Sequence, residues 1–367
     1  MTMMSIPWAS PCFWGNERAY VEQALASTWI SGGPFVDRLE TEISRLCDGR
    51  YAVSASNGTT ALHMIYLALG VGPGDEVVVP GFAFLAAANV ALHMGARPVF
   101  AEVDPATWCL PAAAVERCLS PRTKVVVPVH TYGNVCLTEE IRALCEPRGV
   151  AVVEDAAESF GSRCRGRPAG AIAAHGCFSF QATKTITTGE GGMVVTEDAA
   201  VAERMRLYRN HGMAARRYWH ELAGHNFRLT NLQAALGCAQ LEHLPTIARS
   251  RQRVHEQYLR RLAAAPGCAP QVFPPEVDPV LWAVAVKLEA SAYPQGRDAV
   301  MAQLAERHIE TRPGFHAASL MGDLYRDCPP LPICEELGRQ VISMPTFPTL
   351  TDEQIHFICA ALQEVRR

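Results

Sequence analysis

Between about residues 50 and 200, the sequence alternates short apolar segments with helical patterns. The apolar segments are EVVVP, RPVFAEV, TKVVVPV and GVAVVED, and the helical patterns are NGTTALHMIYLAL, FLAAANVALHMG and EEIRALCEP. Because the apolar runs do not alternate in polarity, they are typical of strands that are covered on both faces. The pattern therefore predicts an α/β fold with a mostly parallel central sheet wrapped by helices.

The pattern changes after residue 198. It predicts a helix in DAAVAERMRLYR, an irregular segment from Asn210 to Arg228, and two consecutive helices in TNLQAALGCAQLEHL and ARSRQRVHEQYLRRL. A strand in LWAVAVKL and helices in GRDAVMAQLAERH and TDEQIHFICAALQEV follow, the last opening with Thr351 and Gln354 in capping-box spacing. We therefore expect a large domain over residues 1–249, including the N-terminal segment, and a smaller C-terminal α/β domain over residues 250–367.

Composition and charge exclude several classes of protein. A net charge of −4 does not favour nucleic acid as a partner, and the arginines of ARSRQRVHEQYLRRL are typical of a solvated helix face. No run approaches the roughly 18 apolar residues of a membrane span, and no signal-peptide pattern precedes Arg18. The 13 cysteines are scattered without a CxxC spacing, which indicates reduced, mostly buried thiols and no metal site. We expect a cytoplasmic protein that binds neither membrane nor nucleic acid.

Three polar features follow the predicted strands. SNGTT, at residues 56–60, begins a helix, where small residues and open N–H groups suit a phosphate, although a plain helix cap would look the same. Asp155 ends the strand GVAVVED, where it could pair with a protonated pyridine nitrogen or cap the residues that follow. Lys184 follows the apolar strand HGCFSF and precedes a glycine-rich turn. An isolated lysine is usually a surface residue, but these three features in this order favour a lysine that forms a Schiff base.

Six segments in this order resemble the DegT/StrS-type sugar aminotransferases. They are SNGTTALH, GPGDEVVVPGFAFLAAAN, PVHTYGN, VVEDAAESFGS, FSFQATKTITTGEGGMVVT and HNFRLTNLQAALGCAQL. The family consists of pyridoxal 5'-phosphate (PLP) enzymes with the aspartate-aminotransferase-like fold, fold type I. The resemblance runs from about Trp29 to the last helix. TITTGEGGM, TWISGG and RRYW look most like the branch that contains GDP-perosamine synthase.

The resemblance implies a role for each matching residue. Lys184 and Asp155 would be catalytic: Lys184 would bind the PLP aldehyde, and Asp155 would pair with the pyridine nitrogen. The remaining cofactor contacts would come from Glu158, Phe84, Gly58, Thr59, Ser179 and, from a neighbouring subunit, Asn226. The sugar pocket would be lined by Trp29, Ser31, His130, Tyr132, Arg228 and His316. The protein would accordingly be a homodimer with its active sites at the subunit interface.

The resemblance also implies a reaction. The enzyme would move an amino group from glutamate to a nucleotide-linked keto sugar, with GDP-4-keto-6-deoxymannose, aminated at C4, as the first candidate. A larger GDP-linked keto sugar such as an octose, or a UDP- or dTDP-linked keto sugar, is an alternative, and a PLP-binding regulator without turnover is an alternative of another class. Lysine at position 184 favours amino transfer over dehydration, because related dehydratases have histidine there. Ser319 stands where the branch often has a second histidine, and Phe84 stands where relatives carry tyrosine. The identity of the sugar therefore stays open.

Overall fold

The computed structural model describes residues 5–263 and 265–366. The strands are β1 (Tyr51–Ala55), β2 (Glu76–Pro80), β3 (Arg97–Ala101), β4 (Thr123–Val126), β5 (Ala151–Asp155), β6 (Arg163–Cys164), β7 (Arg167–Pro168), β8 (His175–Ser179), β9 (Gly192–Thr196), β10 (Cys268–Pro270), β11 (Val277–Asp278), β12 (Ala285–Leu288), β13 (Arg312–Pro313) and β14 (Val341–Ser343).

The α-helices are α1 (Glu17–Ala26), α2 (Pro34–Leu46), α3 (Gly58–Leu69), α4 (Ala86–His93), α5 (Ala112–Cys118), α6 (Thr138–Cys145), α7 (Ala199–Arg209), α8 (Asn231–Glu242), α9 (Leu244–Leu262), α10 (Arg297–Glu306), α11 (Pro332–Gln340) and α12 (Asp352–Glu364). Short 3₁₀ turns cover Thr131–Gly133, Glu146–Arg148 and Ala318–Leu320.

The large sheet has seven strands in the order β1-β9-β8-β5-β4-β2-β3. Only β9 runs against the others, since it pairs antiparallel with both β1 and β8, while the remaining pairs are parallel. Successive side chains of a strand point to opposite faces. Val77 and Val79 accordingly pack in the cluster under α3 and α4, and Val78 packs in the cluster under α5 and α6. Helices therefore cover both faces, as the continuous apolar runs predict.

A second, four-stranded sheet in the order β10-β12-β14-β13 is entirely antiparallel. Helices α9, α10 and α12 bury their apolar faces against it in a separate core that includes Tyr258, Val286 and Ile358. Ile6 packs in the same core and pairs with Ile309. A third sheet, β11-β6-β7, is small. The division of the chain into domains at residues 249 and 250 stays a prediction, and this position falls inside α9.

Most of the predicted elements are confirmed, with differences at their ends. The helix predicted from ARSRQRVHEQYLRRL begins at Leu244, four residues earlier, because Pro245 suits the first turn of a helix. In LWAVAVKL only Ala285–Leu288 pairs as a strand. The capping box at Thr351 and Gln354 is present. All 13 cysteines are free thiols and nine are buried, as predicted. Among the described residues, no helix combines the length and apolarity that a membrane crossing requires.

Candidate active site

The carboxyl edge of the large sheet opens into a cavity of about 560 Å³. β1, β2, β5 and β8 run in the same direction, so the segments that follow them meet at this edge. Every residue predicted to hold the cofactor lines the cavity, except Asn226. The lining consists of Asn57, Gly58, Thr59, Thr60, Leu62, Phe84, Ala86, Val129, Asp155, Ala157, Glu158, Ser179, Gln181, Thr183, Lys184, Glu190 and Trp282.

One end of the cavity is the first turn of α3. Asn57 caps this helix: its side chain accepts a hydrogen bond from the Thr60 N–H at 2.8 Å. The first N–H groups of a helix, here those of Gly58 and Thr59, have no acceptor within the helix. A Cβ at position 58 would lie only 2.9 Å from the Ser179 Cβ, so glycine permits this close approach. The free N–H groups, the Ser179 hydroxyl and the helix dipole together suit a phosphate.

Two buried carboxylates lie at the end of β5. Asp155 Oδ1 accepts the Ala157 N–H at 3.1 Å, and Glu158 Oε2 accepts the Tyr132 N–H at 2.8 Å. Burial raises the pKa of Asp155, although the Ala157 N–H and Lys184 oppose this rise. Burial also raises the pKa of Glu158, to about 7, against the opposing effects of Lys184 and the Tyr132 N–H. Within the described residues, no helix begins between β5 and β6, so Asp155 does not cap one.

Lys184 lies on a tight turn that follows β8. Its N–H donates to the Gln181 carbonyl at 2.9 Å, and the Thr183 N–H donates to Gln181 Oε1 at 2.9 Å. The side chain is 12% exposed, and its Nζ lies 3.8 Å from Glu158 Oε1. Burial lowers the pKa of Lys184, while the charges of Glu158 and Asp155 oppose this and Arg251 adds to it. The turn thus brings a lysine with a lowered pKa into the cavity, where the charges of two carboxyl groups act on it.

Two residues that the sequence did not single out support this lysine. The Trp282 ring lies 3.6 Å from the Lys184 Nζ, and its Nε1–H donates to the Thr183 carbonyl at 3.1 Å. Arg251 is 4% exposed on the apolar face of α9, although the arginines of this helix were interpreted as solvated. A spacing of three or four residues from Ile247 and Val254 is the signal that could have indicated its burial.

His130 and Tyr132, both predicted to contact the sugar, lie behind the cavity wall. His130 is 0% exposed; its Nδ1 accepts the Cys136 N–H at 3.2 Å, and its Nε2 lies 2.9 Å from Glu154 Oε2. An Nδ1 that accepts leaves Nε2 as the protonated nitrogen. Tyr132 stacks between Trp282 and Phe315, with ring centroids 6.1 and 5.1 Å away. Its backbone φ of 61° is left-handed, and no residue in the described ranges bonds its buried hydroxyl.

The remaining predicted residues do not line the cavity. Trp29, Ser31, Asn226 and His316 are exposed, and Arg228 is half-buried. Arg228 Nη1 donates to Asn210 Oδ1 at 2.6 Å and lines a second cavity of about 470 Å³. Within one chain, these residues therefore do not line the Lys184 cavity. Their roles in binding the sugar and the cofactor stay predictions.

Ser319 lies close to a carboxylate. Its hydroxyl donates to Glu335 Oε1 at 2.9 Å, and Glu335 is also paired with Arg339. His316, three residues earlier, is exposed. Its neighbour Phe315 approaches the ring of Phe84 at the mouth of the cavity, with centroids 6.2 Å apart.

The fold is that of an aminotransferase of fold type I. The structure of the aminotransferase TlmJ from Streptoalloteichus hindustanus superposes with a TM-score of 0.92 at 32% identity, covering 98% of both chains. Spr1654 from Streptococcus pneumoniae, solved in a PLP form, gives a TM-score of 0.93 at 25% identity and covers 99% of this chain and 98% of its own.

The protein belongs to the DegT/DnrJ/EryC1/StrS aminotransferase family, whose sequence model matches residues 11–363. Similar curated relatives carry the name GDP-perosamine synthase. The protein from Caulobacter vibrioides is 40% identical over 366 residues and covers 97% of each chain, and that from Escherichia coli O157:H7 is 36% identical and covers 99% of each. The family resemblance and the fold expected from the sequence are confirmed, and the protein is a sugar aminotransferase.

Proposed function

We propose that the protein transfers the amino group of glutamate to C4 of GDP-4-keto-6-deoxymannose, with PLP bound to Lys184. The observation that carries this proposal is the position of Lys184: a buried amine with a lowered pKa, 3.8 Å from a carboxylate, at a cavity with an open helix N-terminus. The identity of 40% to a GDP-perosamine synthase over nearly the whole chain supports the choice of nucleotide and sugar.

The residues of the cavity fit PLP. PLP has three groups to be bound: an aldehyde that reacts with an amine, a ring nitrogen that pairs with a carboxylate, and a phosphate that accepts hydrogen bonds from free N–H groups. The cavity offers Lys184, Asp155 and the first turn of α3 at Gly58 for these three groups. The lack of a Cβ at position 58 keeps the Ser179 hydroxyl close to that turn. Phe84 lines the mouth, where its flat ring could cover the cofactor.

Bound PLP would supply a conjugated ring that accepts the electrons of the bond broken at the substrate carbon. The protein's own groups supply the charges and the protons. Asp155 would hold a positive charge at the ring nitrogen, since an ionised carboxylate favours a cation beside it. Lys184 Nζ would accept the proton that leaves the substrate carbon, and the burial that lowers its pKa increases the fraction of neutral amine that can accept it.

We also propose that a second copy of the chain completes the site. Asn226 and Arg228 were predicted to contact the cofactor and the sugar, yet in one chain they lie outside the Lys184 cavity. Nearby exposed aromatic side chains belong to Tyr218 and Trp219, which are 73% and 55% exposed. Exposed apolar side chains of this size favour a protein interface. A homodimer would bring these surfaces to the cavity of the partner.

The test of the reaction uses the purified protein with PLP, glutamate and GDP-4-keto-6-deoxymannose. We expect 2-oxoglutarate and a GDP-linked 4-amino sugar in equal amounts. A deoxygenated product without nitrogen, or no product from this sugar but amination of a UDP- or dTDP-linked keto sugar in a parallel panel, would contradict the proposal.

The test of the covalent bond between PLP and Lys184 uses the small number of lysines in the chain. It contains three lysines, Lys124, Lys184 and Lys287. After borohydride reduction and proteolysis, we expect the pyridoxyl mass on the Lys184 peptide alone. Lys184→Ala should lose the coloured adduct, and its turnover should fall at least about 100-fold, the usual contribution of a positioned acid–base group. Lys124→Ala, at an exposed position, is the matched control and should keep both.

A further inference from the structure

Arg251 is a buried cation without a carboxylate partner among the described residues. Its side chain is 4% exposed, and burial lowers its pKa to about 10, with Cys12 as the single opposing group. A buried charge is costly unless hydrogen bonds compensate for the lost water, and an apolar side chain would pack more favourably on this face of α9. The retained charge therefore indicates that the guanidinium has a task that packing alone does not explain.

The guanidinium binds three backbone carbonyls from two separate segments. Arg251 Nη1 donates to the carbonyls of Leu281 and Trp282 at 3.1 and 3.0 Å, and Nη2 donates to the carbonyl of Lys184 at 3.2 Å. Its Nε is buried without a partner in the part of the chain that the structure describes. The fork thus joins the turn that carries Lys184 to the segment that carries Trp282.

The side chain of Trp282 makes a second connection to the turn that carries Lys184. Its Nε1–H donates to the Thr183 carbonyl at 3.1 Å, and its ring lies 3.6 Å from the Lys184 Nζ. The ring is held in place by stacking on Tyr132 and by edge contact with Trp8, at centroid distances of 6.1 and 5.4 Å. The indole face therefore contacts the Lys184 amine, and the ring electrons also attract it when it is protonated.

We propose that Arg251 is a positioning residue of the aminotransferase reaction: its guanidinium ties Lys184 to Trp282, so that the indole holds the lysine amine at the cavity. This inference rests on the proposed role of Lys184. Arg251 itself does not line the cavity, so it acts through Lys184 and Trp282. The groups whose charges act on the Lys184 amine are Glu158, Asp155 and Arg251. Of these, Arg251 is the one that favours the neutral amine.

The first test measures the apparent pKa of the Lys184 amine in the cofactor-free protein. Cofactor-free protein is acylated with trace isotope-labelled acetic anhydride at a series of pH values. The acetyl label on each of the three lysine peptides is then quantified by mass spectrometry. In Arg251→Met we expect the apparent pKa of Lys184 to rise above that of the parent, because a neighbouring positive charge is gone. In Arg251→Lys the charge remains, so the pKa should stay near the parent value. Lys124 and Lys287 serve as internal references.

The second test measures turnover of the holoenzyme. One ammonium cannot donate to three carbonyls in the geometry of a planar guanidinium, so Arg251→Lys should lower kcat although it keeps the charge. We expect roughly a 10- to 100-fold decrease for a misplaced reacting group, with little change in the KM for the sugar. Trp282→Phe keeps a ring but loses the hydrogen bond to Thr183. In the double variant, its decrease in kcat should not multiply with that of Arg251→Lys.

The matched control is Arg50, which is 8% exposed and donates to the carbonyls of Ala174 and Ala171 at 2.9 and 3.0 Å. Arg50→Lys and Arg50→Met should leave the Lys184 pH profile unchanged. The proposal is overturned if folded Arg251→Met keeps the parent's Lys184 profile and kcat. If that variant does not fold, an unchanged kcat in Arg251→Lys overturns it. Failure of the parent to form a pyridoxyl adduct on Lys184 would instead refute the proposed function, and acylation of the cofactor-free protein would still test Arg251.

Discussion

At the residue scale, the chemistry depends on three buried ionisable groups that lie within reach of one another. Burial favours the neutral form of each: it lowers the pKa of Lys184 and raises those of Asp155 and Glu158. Their opposite charges partly restore ionisation. This balance leaves a larger fraction of the lysine as the neutral amine than a solvated lysine would have at the same pH.

The raised pKa of Glu158 predicts a pH dependence of stability. Its carboxyl titrates at about 7 in the folded protein and at the usual 4.5 when unfolded, so between these values unfolding releases a proton. The free energy of unfolding should therefore fall as pH rises from 5 to 8, with a contribution from this group of about 3 kcal/mol. Glu158→Gln stays neutral and should flatten this fall. Urea unfolding of the cofactor-free protein at four pH values measures it.

Two comparisons make this test specific. Asp155 contributes in the same direction in both proteins, so the difference between them reports the Glu158 carboxyl together with its effect on Lys184. Glu139→Gln is the control, because the Glu139 side chain is 39% exposed and is paired with Arg165, which lowers its pKa. Equal slopes for the parent and Glu158→Gln would show that Glu158 ionises in the folded protein as it does in the unfolded chain.

The residues predicted to hold the cofactor line one cavity, except Asn226, whereas those predicted to contact the sugar do not line it. Asp155 and Lys184 follow predicted parallel strands, so their meeting at one edge follows from topology, whereas the strand before Gly58 was not predicted. The sequence did not indicate that His130 faces Glu154, because that contact depends on how two parallel strands align. Arg251 was missed because an arginine in a charged helix is usually solvated, and its burial results from the packing of α9 against the segment around Leu281.

At the scale of elements, the site depends on how closely α3 approaches the end of β8. A side chain at position 58 would press on Ser179, with a Cβ to Cβ distance of 2.9 Å. Gly58→Ala should therefore move Ser179 or the helix start and weaken PLP binding. Overpacking costs about 1–3 kcal/mol, which corresponds to roughly a 5- to 150-fold increase in the Kd. Absorbance titration of the cofactor-free protein with PLP measures this change.

Gly72→Ala is the matched control for this substitution. Gly72 follows the same helix, and a Cβ there would meet no atom within 4 Å. Its Kd for PLP should equal that of the parent. If Gly58→Ala binds PLP as tightly as Gly72→Ala does, the first turn of α3 does not hold the phosphate.

Most strands of the large sheet were predictable because they are continuously apolar and lie between helices, but β1 was not predicted. The N-terminal helices α1 and α2 were not predicted. α1 buries only Glu17 and Ala24 along its ten residues, so it has no apolar periodicity to detect. α2 does bury Leu39 and Ile43, but it precedes the region where the repeated pattern begins. Both pack on α8, and contacts between helices so distant in sequence are not visible in a local pattern.

At the scale of the whole molecule, the predicted site residues form two groups in one chain. One group surrounds Lys184, and the other, which includes Asn226 and Arg228, lies near the 470 Å³ cavity lined by α2 and α7. A twofold dimer brings the same surface of each copy to the other, so the second group of one chain can reach the first group of its partner. Shared sites of this kind can be tested by complementation.

Hybrid dimers give the last prediction. Lys184→Ala and Asn226→Asp proteins, each with its own tag, are expected to be poorly active alone, the second because a carboxylate would repel the phosphate. In a hybrid dimer with shared sites, one site carries both substitutions and the other carries neither. Random pairing makes half of the dimers hybrid, so co-expression should restore about one quarter of parental activity. Hybrids that form, as native mass spectrometry would show, but stay inactive would mean that Asn226 serves the site of its own chain.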